Sequence, residues 1–371
     1  MSSDLPDVTV NPFWTGYRCS VCGAEYPVEW SQFVCAACGV DGILSAVFDY
    51  EAIAGALDRR DPFPVRGRAD LWRFAPLLPV VPAAGHPAWS VGDTPLLAPD
   101  RLRSKLTLPS LYLKDDTCLP SASLKDRAAA LAIADATRLG RDHLACASTG
   151  NAAASLAVLG ARAGLASTIY VPEAAPRAKL AQLLLHGSEV VRVAGTYDQA
   201  FDLSLQALAE HGWYSRNCAH NPLLVEGKKT AGLEIALALG WQVPDAIFVP
   251  VGDGCIISSV GKAFSELHAV GLIACEPRLY GVQAAGSAPL AAAWKRLVDK
   301  EGIGGPPALN GREILAACEA VVPRTVADSI AVGVPRNRVK AWQAVARSGG
   351  AFLAVDDDAI LSAVGDLARE A

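Results

Sequence analysis

His143-Leu144-Ala145-Cys146-Ala147-Ser148-Thr149-Gly150-Asn151-Ala152 reads as a short apolar strand, a loop of small polar residues and the opening of a helix. The same rhythm recurs on both sides of it. Apolar runs predict strands over 111–113, 143–147, 167–171, 189–193, 246–250, 279–283 and 351–355, and amphipathic periodicity predicts helices over 125–139, 151–163, 197–211, 226–239 and 256–270. Such alternation implies a doubly wound α/β protein with a mostly parallel sheet, in which ligands bind beyond the carboxyl ends of the strands. Chemistry is therefore sought in the loops that follow strands.

Three loops carry unusual text. In Ser148-Thr149-Gly150-Asn151-Ala152 the hydroxyls can act as N-caps, or the cluster can offer backbone N–H groups and an amide to a carboxylate and a ring hydroxyl. In Pro120-Ser121-Ala122-Ser123-Leu124-Lys125-Asp126-Arg127 a lysine opens a helix, where it opposes the macrodipole. It is either a solvated lysine paired with Asp126 or a nearby carboxylate, or an amine tuned to form a Schiff base with an aldehyde cofactor. In Val251-Gly252-Asp253-Gly254-Cys255-Ile256 the glycines make a tight turn or let main-chain donors approach a phosphate. An anion there would take donors from Gly252, Gly254, Cys255 and Ile256. Asp253 would then have to turn its carboxylate away or onto neighbouring backbone.

The front of the chain reads differently. Cys19-Ser-Val-Cys22-Gly and Cys35-Ala-Ala-Cys38-Gly lie twelve residues apart, which is a zinc-ribbon spacing, each glycine allowing a knuckle that aims two thiolates at one ion. Four cysteine ligands close the coordination sphere, so the expected zinc is structural. The remaining six cysteines, Cys118, Cys146, Cys218, Cys255, Cys275 and Cys318, show no paired spacing and read as small buried apolar residues. Residues 48–97 are rich in Pro, Gly and Ala, with Pro62, Pro64, Pro76, Pro79, Pro82 and Pro87 blocking any long helix, and read as a wrapping linker.

Composition narrows the function classes. The chain has 371 residues, 51% hydrophobic and 19% charged, enough to bury a large core. A net charge of -5 without a basic run excludes an electrostatic footprint for nucleic acid, and no apolar stretch is long enough to span a membrane. Residues 1–11 lack the basic start and apolar stretch of a signal peptide, so a cytoplasmic location is expected.

Taken together and in order, these segments resemble the pyridoxal-phosphate (PLP) enzymes of fold type II, and within them the threonine synthase branch. The family's Pro-Thr-Gly-Ser-Phe-Lys-Asp-Arg appears as Pro120 to Arg127, its Ser-Thr-Gly-Asn-Ala as Ser148 to Ala152, and its phosphate loop as Gly252 to Gly254. Gly195-Thr196-Tyr197-Asp198, Asn221-Pro222 and Glu226-Gly227-Lys228-Lys229-Thr230 are similar to the same branch. The resemblance implies two doubly wound α/β lobes behind a small zinc ribbon: residues 1–48 form the ribbon and 49–371 the catalytic core, with a mobile small lobe over about 128–215. It further implies Lys125 as Schiff-base lysine and acid/base, Asn151 on the cofactor's 3'-hydroxyl, and the loop of Gly252, Asp253, Gly254, Cys255 and Ile256 at its phosphate. Ser148, Thr149, Gly150, Asn151 and Lys228 would bind a small amino-acid substrate, and a homodimer is the implied assembly.

The implied reaction converts O-phospho-L-homoserine and water to L-threonine and phosphate. Two departures bear on it. The branch carries an arginine two residues before Glu-Gly-Gln-Lys-Thr, where it helps to bind the substrate phosphate; here that position is Leu224, and Lys228, Lys229 or Arg216 would have to substitute. The chain ends at Arg369-Glu370-Ala371, before the Gly-x-Phe-x-Glu-Pro-Ala segment near which the resemblance places the partner of the pyridine nitrogen. Another fold-type II dehydratase, ammonia-lyase or sulfur-nucleophile synthase, and a non-catalytic protein that keeps the fold, are the alternative readings.

Overall fold

The computed structural model describes residues 7–65, 69–83, 90–301 and 309–371. Pro87 of the expected linker and the first six residues lie outside them. The chain divides into two compact units, one built from Met1–Cys19, Ala24–Asp93 and Asp116–Thr230, the other from Ser20–Gly23, Thr94–Asp115 and Ala231–Ala371.

The first unit opens with β1 (Val8–Val10) and a four-stranded antiparallel sheet of β2 (Trp14–Cys19), β3 (Glu25–Tyr26), β4 (Val34–Cys35) and β5 (Gly39–Phe48), in the order β3-β2-β5-β4. Among the described residues the Pro-rich segment then gives this unit a short helix, α1 (Tyr50–Ala56), a 3-10 turn over Leu71–Leu77, and β6 (Val80–Pro82), which pairs antiparallel with β1.

In the second unit β7 (Leu96–Leu97) precedes α2 (Asp100–Leu106) and pairs antiparallel with β8 (Leu113–Lys114). The part-buried Lys114–Glu234 ion pair, at 2.6 Å, joins that hairpin to the rest of its unit.

Behind the lysine motif the first unit continues with α3 (Lys125–Arg138), β9 (His143–Ala147), α4 (Asn151–Ala163), β10 (Ala166–Pro172), α5 (Arg177–Leu185), β11 (Glu189–Val193), α6 (Tyr197–His211) and β12 (Tyr214–Ser215). Alanine supplies high helix propensity in α3, and residues 128–134 of that helix are fully buried. The four strands form a parallel sheet in the order β11-β10-β9-β12. The chain thus lays strands outward from β9 on one side and then returns to add β12 on the other. Such a reversal is where open α/β sheets leave a crevice beyond the strand ends.

α7 (Leu223–Ala238) begins in the first unit. A Cβ placed on Gly227 would lie 2.2 Å from the Arg127 carbonyl oxygen, so α7 approaches the backbone of α3 as closely as only glycine allows.

The second unit carries β13 (Ala246–Pro250), α8 (Cys255–Ala269), β14 (Arg278–Ala284), α9 (Pro289–Glu301), α10 (Gly311–Ala317), α11 (Arg338–Arg347), β15 (Ala351–Val355) and α12 (Asp357–Glu370). Its parallel sheet runs β13-β14-β15, backed by Trp294, Trp342 and Phe352 with Trp294 ring centroids 4.8 and 5.4 Å from the other two. Among the described residues no helix is long and apolar enough to cross a membrane.

Gly227→Ala is expected to push α7 off α3 and to destabilise the protein by about 1–3 kcal/mol, as overpacking does. A thermal midpoint equal to that of the unaltered protein would show that the close approach is not required.

Candidate active site

The lysine loop is held from behind. Arg127, fully buried, donates from Nε and Nη2 to the two Asp116 oxygens at 2.9 and 2.7 Å and from Nη1 to Thr230 Oγ1 at 3.0 Å. A paired guanidinium and carboxylate fix direction as well as distance, so the first turn of α3 is tied to the preceding 3-10 turn and to α7. Asp126 faces back into the loop, accepting from Ser121 N at 2.7 Å and Ser121 Oγ at 2.5 Å. Ala122 sits at φ 54°, where the family's motif has glycine, so this turn stores about 1–2 kcal/mol of backbone strain. Lys125 is half-buried at the head of the helix.

The loops beyond the two strands at the sheet reversal come next. After β9, Ser148 N donates to the Tyr170 carbonyl at 3.2 Å and Gly150 N to Ser148 Oγ at 3.2 Å. The side chains of Thr149 and Asn151 make no hydrogen bond among the described residues, and a Cβ on Gly150 would meet open space. α4 starts at Gly150 without a side-chain cap. By contrast, Asp49, Thr196, Asn310 and Asp356 cap α1, α6, α10 and α12. The start of α4 has backbone donors and an amide to offer an anionic ligand.

After β12, Arg216 N donates to the Ala145 carbonyl at 2.8 Å, and Asn217 Oδ1 accepts from Ala147 N at 2.8 Å, binding this loop to the end of β9. Arg216 Nη2 donates to the Lys125 carbonyl at 3.2 Å, and its Nη1 reaches Cys218 Sγ at 3.2 Å. Lys228 Nζ lies 3.8 Å from the same sulfur. Arg216 and Lys228 are fully buried, and among the described residues no carboxylate pairs with either. The contrast with the next residue is sharp. Lys229, also fully buried, is paired with Glu226 at 2.5 Å and lies 4.6 Å over the Phe48 ring.

Of the three cations that sequence offered in place of an arginine at 224, Lys229 is thus committed to structure, whereas Arg216 and Lys228 are not. Leu224 itself is fully buried. Lys228 stands at the glutamine position of Glu-Gly-Gln-Lys-Thr, four residues beyond Leu224 on α7, and residues four apart share a helix face. Lys228 and the position where the resemblance implies an arginine thus lie one turn apart on one face of α7.

Cys218 corrects an expectation. It is half-buried among charges, and Cys118 and Cys275 are exposed, so only Cys146, Cys255 and Cys318 of the six unpaired cysteines are small buried residues. Pattern reading missed Cys218 because nothing in the text shows that Arg216 and Lys228, two and ten residues away, both turn toward its sulfur.

In the second unit the glycine loop leads from β13 into α8, with Gly254 at φ 88° and no side-chain cap on the helix. Asp253 Oδ1 accepts from Arg336 N at 3.2 Å, while Asn337 donates from N to the Asp253 carbonyl at 3.0 Å and from Nδ2 to the Gly254 carbonyl at 3.2 Å. A Cβ on Gly254 would come 2.7 Å from Ala341 Cβ. The turn is clamped by α11 and its approach, and the carboxylate of Asp253 is spent on backbone. This donor set suits a phosphate monoester.

A family profile described as pyridoxal-phosphate dependent enzyme matches residues 90–371, which makes the chain a PLP-dependent enzyme of the α/β, fold-type II class. A solved structure of threonine deaminase isoform 2 from Solanum lycopersicum superposes with a TM-score of 0.60 at 25% identity, over 77% of this chain and 71% of that one. Threonine synthases of Methanosarcina acetivorans and Methanocaldococcus jannaschii are 36% and 35% identical over 355 residues, 95% of this chain and 81% and 82% of theirs. The chain belongs to the threonine synthase family of carbon–oxygen lyases.

The two neighbouring lysines should separate in a stability measurement. Lys229→Met strands a buried carboxylate and is expected to cost about 3–5 kcal/mol. Lys228→Met removes a buried cation that has no carboxylate, and is expected to leave the thermal midpoint unchanged or raise it; equal losses in both variants would contradict the distinction drawn here.

Proposed function

We propose that the protein makes L-threonine and phosphate from O-phospho-L-homoserine and water. The observation that carries this reading is the pair of fully buried cations, Arg216 and Lys228, without a carboxylate. Burying such charges costs several kcal/mol per ion unless an anion joins them. A substrate phosphate is an anion of the right kind, whereas serine or threonine brings none beyond its carboxylate.

The residues divide the work as follows. Lys125 carries the cofactor and moves the protons at Cα and Cβ, its helix held still by Arg127. The main-chain donors of Gly252, Gly254, Cys255 and Ile256 hold the cofactor phosphate, with Asp253 turned onto Arg336. Asn151 holds the cofactor's ring hydroxyl, and Ser148, Thr149 and Gly150 receive the substrate carboxylate at the start of α4. Bound PLP supplies an electron sink for the carbanionic charge. Arg216 and Lys228 hold the substrate phosphate and stabilise it as it leaves Cγ, after which water adds at Cβ. A small lobe over about 128–215 closing on the substrate would keep water out until then. The reading extends to a homodimer, the assembly the family resemblance implies, and to a cytoplasmic location.

Incubation with O-phospho-L-homoserine should release phosphate and threonine in equal amounts. Borohydride should fix the cofactor on Lys125, and Lys125→Ala should lower kcat by at least about 10²–10⁴-fold, the usual worth of an acid/base. Lys228→Met should lower kcat/KM by about 10–100-fold, the range for a charge-assisted bond of roughly 1.5–3 kcal/mol. Turnover of serine or threonine in place of the phosphorylated substrate would replace this reading with a dehydratase.

We further propose that Cys19, Cys22, Cys35 and Cys38 bind zinc. Their sulfurs lie within 4.8 Å of one another, compatible with four bonds of about 2.3 Å to one ion. Gly42 makes the room: a Cβ there would come 2.5 and 2.7 Å from those of Cys35 and Cys38. Burial disfavours ionisation of Cys35, but the hydroxyl of Tyr26, donating at 3.1 Å, and nearby N–H groups bring its thiol down to about 6. Elemental analysis should find one zinc per chain, lost in Cys38→Ser together with thermal stability; a metal-free protein with an unchanged midpoint would refute it.

A further inference from the structure

Arg216 and Lys228 do more than wait for a substrate. Their nearest group able to carry negative charge is the sulfur of Cys218, 3.2 Å from Arg216 Nη1 and 3.8 Å from Lys228 Nζ. Arg216 Nε, also buried, has no acceptor among the described residues. The charged groups around this sulfur come from several elements: Lys125 from α3, Lys228 from α7 and Arg216 from its own loop, with the thiol of Cys146 on β9. Burial pushes Cys146 up to about 12, so it stays neutral. Burial opposes ionisation of Cys218 too, but the charges of Lys228 and Arg216, joined by that of Lys125 while its amine is free of cofactor, outweigh it and bring the thiol down to about 7. Cys218 as a residue is half-buried, with its sulfur deep among the cations, so a reagent reaching it must be as small as a hydroperoxide or iodoacetamide. A thiolate that is both stabilised and reachable is the reactive form of cysteine.

We propose that Cys218 is a redox modification site, held as a thiolate between Arg216 and Lys228 and oxidised there by hydroperoxides to a sulfenate that occupies the place of an incoming phosphate. With hydrogen peroxide, the sulfur attacks one peroxide oxygen, forming an S–O bond as the O–O bond breaks. Sulfur loses two electrons and the peroxide gains them. The departing hydroxide takes the proton of the transferred hydroxyl, leaving water and a sulfenate anion. The product keeps the single negative charge of the thiolate, so the two cations hold it as they held the sulfur. That a substrate phosphate is what it displaces rests on the proposed function; the oxidation itself does not.

The test uses the PLP-loaded protein and iodoacetamide, with labelling read peptide by peptide by mass spectrometry. At pH 6.5, Cys218 should label about tenfold faster than the exposed Cys118 and Cys275, the gain expected for a thiol lowered from about 8.5 to about 7. Millimolar inorganic phosphate should slow it. Lys228→Met should remove most of the advantage and Lys228→Arg should restore it. Hydrogen peroxide should block labelling at Cys218 first, and dithiothreitol should recover it. Labelling of Cys218 no faster than that of Cys118 and Cys275, or oxygen added to those two before Cys218, overturns the proposal in the unaltered protein without recourse to a variant. If Cys218 labels and oxidises as stated while O-phospho-L-homoserine is not turned over, the substrate reading fails and the thiol site stands. If oxidised enzyme turns that substrate over at the untreated rate, the displacement of phosphate is wrong.

Discussion

Arg127 is the constraint from which the geometry of the first unit follows. Its guanidinium spans Asp116 and Thr230 with no exposed surface, and so joins the residues before α3, the start of α3 and the middle of α7 in one rigid connection. Lys125 precedes it by two residues and Lys228 precedes Thr230 by two. Both candidate ligand-handling amines are therefore placed by a single side chain that need touch neither ligand. A lysine at the same position could not form the two parallel bonds that set the angle of the helix.

Electrostatic compensation is uneven in this unit. Glu226 answers Lys229 and Asp116 answers Arg127, as buried charges require. Arg216 and Lys228 have a cysteine sulfur instead of a carboxylate. The helix starts show the same division: α6 and α10 have full capping boxes, while α3, α4 and α8 start without side-chain caps at the lysine, the Ser-Thr-Gly-Asn loop and the glycine loop. α2, α5 and α11 lack side-chain caps as well, the first two behind a proline. Local rules of stability are relaxed where a ligand can complete them.

Periodicity made most of the sheet and its helices legible. Strands 143–147, 189–193, 246–250 and 351–355 and helices 151–163 and 197–211 fall where the pattern places them. The helix expected from 226 instead starts at Leu223, because Asn221 Oδ1 accepts from Leu223 N and caps the turn earlier than hydrophobic period suggests. β12, with only Tyr214 and Ser215, is too short for any periodicity, yet it creates the reversal in strand order. The identical neighbours Lys228 and Lys229 cannot be told apart in a sequence; on a helix they point about 100° apart, one toward Glu226 and the other toward Cys218.

The cation at 228 bears on how residue roles are carried from one protein to another. Compared column by column with the motif this sequence resembles, position 224 is apolar and position 228 is charged. Compared by the direction in which each side chain leaves the helix, the two positions share a face, four residues apart. A role read from a single column therefore overlooks a side chain one turn away that can reach the same neighbourhood.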